Sequence, residues 1–98
     1  MDMKLEFEWN EKKNSENLKK HGIDFFTAVK VFDDKNYVEL FDETHSADED
    51  RYVILGVADD VTVVLQVVYT PRKNGKIIRI ISARKATNGE RRLYYGEI

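Results

Sequence analysis

The chain has 98 residues, 42% of them apolar and 35% charged, with no cysteine and a net charge of −2. That length predicts a single domain over 1–98 around one core, since chains split only well beyond it, at roughly 250 residues. The absence of cysteine excludes disulfides and thiolate metal sites. No apolar run approaches the roughly 18 residues of a spanning helix, and MDMKLEFEWN lacks the apolar stretch of a signal peptide, so a cytoplasmic protein is expected.

In chain order, LEFEW alternates Leu5, Phe7 and Trp9 against Glu6 and Glu8, a short one-sided strand. Asn10 can cap a helix over 11–21 that Gly22 ends. Asp24 can cap a second helix, in which Phe25, Phe26, Ala28, Val29 and Phe32 form an apolar stripe. YVELF (37–41) reads as a strand and DETHSADED (42–50) as an acidic loop. The β-branched runs RYVILGVA (51–58), VTVVLQVVYT (61–70) and KIIRIISA (76–83) are separated by Asp59-Asp60 and by Pro71 to Gly75, which predicts a three-stranded meander. Thr87 and Glu90 have capping-box spacing and start a last helix at 88. The order β-α-α-β-β-β-β-α describes an α+β fold, a mostly antiparallel sheet with helices packed against it.

Charge is segregated along this order. Residues 1–32 are neutral; 33–60 hold ten acids against Lys35 and Arg51, net −8; 61–98 hold eight bases against Glu90 and Glu97, net +6. A field acts locally, within about 10 Å at moderate salt, so the basic third can attract an anion although the whole chain is acidic. Its densest part is RIISARKATNGERRLYY (79–95), with Arg79, Arg84, Lys85, Arg91 and Arg92. A solvated face explains such a run as readily as a phosphate site does.

FEWN, KHGIDF and VF.D near the start, RYVILG in the middle and RIISARKAT..ERRLYY at the end resemble, in the same order, the BrnT family of toxins. These are small ribonucleases encoded beside an antitoxin and similar in fold to RelE-type toxins. The resemblance implies RNA cleavage that inhibits translation, no metal cofactor, and a BrnA-like, DNA-binding antitoxin as partner.

RNA cleavage without a metal uses the 2′-hydroxyl as nucleophile. It needs groups that take and give a proton, and cations around the developing negative charge. Arginine suits the last role, because its planar fork meets two phosphate oxygens and stays charged. Arg79 lies among Ile77, Ile78, Ile80 and Ile81, where a charge must face water, a partner or a ligand. A structural salt bridge to Asp42 or Glu39 explains it equally well. Arg84 follows five positions later, and in a regular strand an odd separation places the two on opposite faces. They share a site only if a bulge intervenes or the strand ends before 84, with Ser82-Ala83 the plausible place. Arg51 is a third phosphate candidate, or else a partner of Asp48 or Glu49.

For the protons the candidates are His45, His21 and Glu90. His21 also suits a helix C-terminus, where exposed carbonyls favour a cation, and His45, in an acidic loop, is as readily just solvated. Lys20 belongs with His21 in the KHG element. A metal site from Asp42, His45 and Asp48 matches no strong motif and is discounted. Gln66 and Thr70 share a strand face from which a ribose or base can be read, and Lys85 adds charge. Arg91 and Tyr95, four apart on one helix, can stack a base or pack on the sheet. The rival to an RNA-cleaving toxin is a non-catalytic module that holds a partner protein through its sheet and acidic loop.

Overall fold

The computed structural model describes residues 5–44, 49–58 and 62–97. Its elements are β1 (Glu6–Glu8), α1 (Glu11–His21), α2 (Phe25–Val29) continued by a 3₁₀ turn (Lys30–Asp33), β2 (Val38–Phe41), β3 (Tyr52–Gly56), β4 (Leu65–Arg72), β5 (Ile77–Lys85) and α3 (Asn88–Tyr95). The order is the expected one, and so are the caps. Asn10 and Asp24 accept backbone N–H groups of Lys13 and Thr27, and Gly22, at φ 74°, returns its N–H to Leu18. Thr87 and Glu90 form a reciprocal capping box. Each satisfies helix-end groups that have no partner within the helix.

Strand limits differ from the sequence reading. β4 starts at Leu65 and runs through Pro71 to Arg72, and β5 continues to Lys85. The reversal between them needs left-handed backbone at Lys73, Asn74 and Gly75, so the turn occupies Lys73–Lys76 and the proline stays in the ladder opposite Ile78. The five strands lie in the order β1-β5-β4-β3-β2, with β1 parallel to β5 and all other pairs antiparallel.

One sheet face carries Ile54, Val67, Tyr69, Ile78, Ile80 and Ala83 against Ile23, Phe25, Ala28 and Val31. Beside this cluster runs a chain of edge-to-face or stacked rings, Phe7–Phe32–Tyr69–Tyr52–Phe41, with centroids 5.1 to 5.6 Å apart. Phe26 departs from its expected core position and is 69% exposed. The buried stripe of the short second helix runs through residues 25, 28 and 31, and residue 26 points away from it.

β1 pairs with β5 only over Ile77–Arg79, so the outer edge of β5 needs another partner further on. Asn17 supplies it. Its amide nitrogen donates to the Ala83 carbonyl at 2.7 Å and to the Ile23 carbonyl at 2.8 Å, while its oxygen accepts from the Ala83 N–H. One buried side chain thereby does the work of a strand and ties α1 to both the sheet and the α1–α2 turn. Replacing Asn17 with Ala leaves three backbone groups without partners. It should lower unfolding free energy by about 2–4 kcal/mol, measured by urea denaturation; a loss below about 0.5 kcal/mol would show that water replaces the amide without cost.

Candidate active site on the second sheet face

The face away from the core is built by a bulge. Thr70 opposes Arg79, Tyr69 opposes Ile80 and Val68 opposes Ser82, so Ile81 is an extra residue on β5. Directly opposed residues share a face. Arg79 and Arg84, opposite Thr70 and Gln66, therefore stand on the same face although five positions apart. The condition set by the sequence is met by a bulge just before Ser82, and the strand does not stop there.

β3 brings a third arginine. Val53 opposes Val68, and the same alternation carries back to Arg51, a half-buried side chain with an enclosed Nε. The Thr70 hydroxyl donates to the Asp50 carbonyl at 2.6 Å and pins the start of β3 against β4. Thr70, expected to reach a ribose or base, is 1% exposed and serves instead as this fastener. Asp48, one of two partners considered for Arg51, lies outside the described residues.

Two carboxylates hold the other arginines. Arg79 Nη1 donates to Glu8 Oε2 at 2.8 Å, and Arg72 Nη1 lies 3.6 Å from the same oxygen. The partner of Arg79 is thus Glu8, rather than Asp42 or Glu39. Glu39 opposes Ile54 on the core face, where it accepts the Tyr69 hydroxyl. Arg84 makes a two-point contact with Glu90, 2.9 Å and 3.1 Å, and also donates to the Lys85 carbonyl. Glu90 further accepts from Gln66 and from the Thr87 N–H. Burial acts to raise the Glu90 carboxyl, but the hydrogen bonds of Arg84 and Thr87 and the Arg84 charge outweigh it and hold the carboxyl below the ordinary glutamate value. Glu90 is therefore an ionised brace for Arg84. Gln66 turns to the same brace.

α3 lies over this end of the face, where Leu55, on the side away from the core cluster, is fully buried. Its far end is latched. The Tyr94 hydroxyl donates to Asp34 Oδ2 at 2.6 Å, and that carboxylate also accepts the N–H groups of Val57 and Asn36. Gly56 sits close by, where an added Cβ would stand 2.7 Å from Val31 and 3.1 Å from Asp34.

The remaining candidates fall elsewhere. Lys85, Arg91 and Tyr95 line one cavity of about 230 Å³ with Val63 and Ala86, beside α3. Tyr95 is 57% exposed there. His21 ends α1 and Lys20 precedes it; among the described residues no hydrogen bond or ion pair joins either to the arginines. His45 lies outside the described residues. Among the described residues, no group of three His, Asp or Glu side chains could hold a metal ion. Glu8 and the Asp34–Tyr94 pair were not singled out by sequence. For Glu8 the signals in the sequence are its place in FEWN and the alternation that sets Glu6 and Glu8 on one face.

Fold and site together define an α+β domain with an arginine-bearing sheet face under a C-terminal helix. A family model described as the ribonuclease toxin BrnT of type II toxin–antitoxin systems matches residues 9–90, and the chain belongs to that family. No curated protein matches the chain. Among the described residues, no helix is long and apolar enough to cross a membrane.

The latch has a pH signature. Burial, then the hydrogen bond to Asp34 and its charge, push the Tyr94 hydroxyl up from 10.0 to about 12. A raised pKa means stability present below the unfolded value and lost as pH climbs through the folded one. Tyr94→Phe should cost about 1–2 kcal/mol at pH 7. The gap between the two proteins in urea midpoint should close as pH rises from 10 towards 12. A gap that stays constant to pH 12 would show that the latch is not what the hydroxyl contributes.

Proposed function

We propose that this chain is an RNA-cleaving toxin that works on the second sheet face, by attack of a ribose 2′-hydroxyl on the adjacent phosphorus without a metal. The observation that carries the reading is the bulge at Ile81, which sets Arg79 and Arg84 on one face beside Arg51. A phosphate meeting that face finds planar donors already oriented by carboxylates. Among the described residues, the Nε–H and one Nη2–H of Arg84 have no acceptor beyond its contacts with Glu90 and Lys85. Donors fixed before the reaction are effective because they need not reorganise as charge develops on the phosphoryl oxygens.

Lys85, Arg91 and Tyr95 extend the cationic surface along α3 and suit the flanking nucleotide, with Tyr95 as a stacking ring. His21 and Lys20 have no part in this reading, and Glu90 acts through Arg84. A BrnA-like, DNA-binding antitoxin would silence the site most directly by laying acidic side chains on the same arginines, with the −8 segment fixing its orientation by repulsion. The cytoplasm, where RNA and antitoxin meet, is the place of action.

The purified chain should cleave RNA in the presence of EDTA, and Arg84→Ala or Arg79→Ala should lower the rate by about a hundredfold or more with the fold retained by circular dichroism. Cleavage that vanishes with EDTA, or that survives unchanged in a folded Arg84→Ala protein, would overturn the reading.

A further inference from the structure

Three side-chain groups stand out beyond the arginines: the cavity beside α3, the Asp34–Tyr94 latch, and the carboxylate of Glu8. The first extends the proposed RNA path and the second is a structural tether. Glu8 is different. Proton transfer from the 2′-hydroxyl needs an acceptor on the arginine face, and of the sequence candidates among the described residues, His21 and Glu90, neither supplies one. Glu90 already accepts from Arg84, Gln66 and Thr87, and is held ionised below its ordinary value.

We infer that Glu8 is the proton acceptor for RNA cleavage, an inference that rests on the ribonuclease reading above. Its position carries the argument. Glu8 opposes Arg79 in the parallel β1–β5 pair, so both side chains rise from the same face. Only Oε2 is engaged, by Arg79 at 2.8 Å and Arg72 at 3.6 Å. Among the described residues Oε1 has no hydrogen-bond partner, and the side chain is 38% exposed. A carboxylate with one oxygen fixed by Arg79 and Arg72 and the other without a hydrogen-bond partner among the described residues, beside an arginine proposed to bind the scissile phosphate, has the form of a positioned base. The groups facing it are Arg72 from β4 and Arg79 from β5, while Glu6 lies one pleat away opposite Ile77. Glu8 lies one position before the 9–90 family match and within the FEWN element; its contacts with Arg79 and Arg72 are what support the role.

In the step itself, Glu8 Oε1 takes the 2′-hydroxyl proton as that oxygen forms its bond to phosphorus. The bond from phosphorus to the 5′-oxygen breaks, and the leaving oxygen takes a proton from solvent water. The products are a 2′,3′-cyclic phosphate and a free 5′-hydroxyl; Glu8 then returns its proton to solvent. No oxidant, reductant or further reactant is needed.

The test compares the unaltered chain with Glu8→Gln and Glu8→Asp on an RNA oligomer, measuring kcat and KM across pH. A 2′-O-methyl oligomer reports binding separately. Gln keeps the shape and the Arg79 contact, but its amide cannot act as a base. It should lower kcat by about a hundredfold or more, remove the acidic limb of the pH–rate profile, and leave 2′-O-methyl binding no weaker and the fold intact by circular dichroism. Asp keeps the charge but withdraws the carboxylate, so it should lose rate yet retain the acidic limb; should the Gln variant fail to fold, this variant carries the test. Wild-type kcat in either folded variant overturns the inference, as does a rate loss in Glu8→Gln that leaves the pH profile intact. If the unaltered chain cleaves no RNA, the ribonuclease reading fails and the inference falls with it.

Discussion

The arrangement of the whole second face depends on one extra residue in β5. In an unbroken strand the run Ile77 to Lys85 would group Ile78, Ile80, Ser82 and Arg84 on one side and Ile77, Arg79, Ile81, Ala83 and Lys85 on the other. Either choice of core face drives a guanidinium into the apolar layer, at a cost of several kcal/mol for an uncompensated charge. Placing Ile81 in a bulge regroups the strand. Ile78, Ile80 and Ala83 then face the helices, at 6%, 2% and 0% exposure, and both arginines face away. The apolar pattern and the charge pattern select the same irregularity, and neither is compatible with a regular ladder.

Once outside the core, the arginines are held by elements far apart in the sequence. Glu8 comes from the first strand and Glu90 from the last helix, so the two ends of the chain brace a site on the strand that lies between β1 and β4. Pairs this exposed contribute little stability, about 0–1 kcal/mol each. Their effect is orientation. The structural cost of keeping α3 and α1 in place falls on other contacts: the Tyr94–Asp34 latch, the capping box at Thr87 and the Asn17 amide that completes the edge of β5. A basic C-terminal third in an acidic chain is thereby reconciled in part, because Glu8 and Glu90 match some of its charge locally.

What was legible in the sequence follows the range of the interaction. Caps at Asn10, Asp24 and Thr87 were readable because each involves residues three apart, and the strands because their apolar runs are contiguous. Phe26 misled, since a helix of five residues has room for only one narrow buried stripe. Arg79 and Arg84 were visible as charges set in apolar surroundings, but their shared face was only a conditional statement until the register fixed the bulge. The Arg79–Glu8 and Tyr94–Asp34 contacts span 71 and 60 positions, and nothing local announces them. Thr70 looked like a surface polar group by alternation; the start of β3 folds over it.

That RNA phosphates meet the bulged face, and not the helix layer, is tested most directly by following arginine side-chain Nε–H resonances while a 2′-O-methyl RNA oligomer, which cannot be cleaved, is added. The Nε signals of Arg51, Arg79 and Arg84 should move together with one shared Kd, while the ring signals of His21 stay fixed. Shifts confined to the α1 surface, with those three arginine signals unmoved at saturation, would contradict the placement of the site.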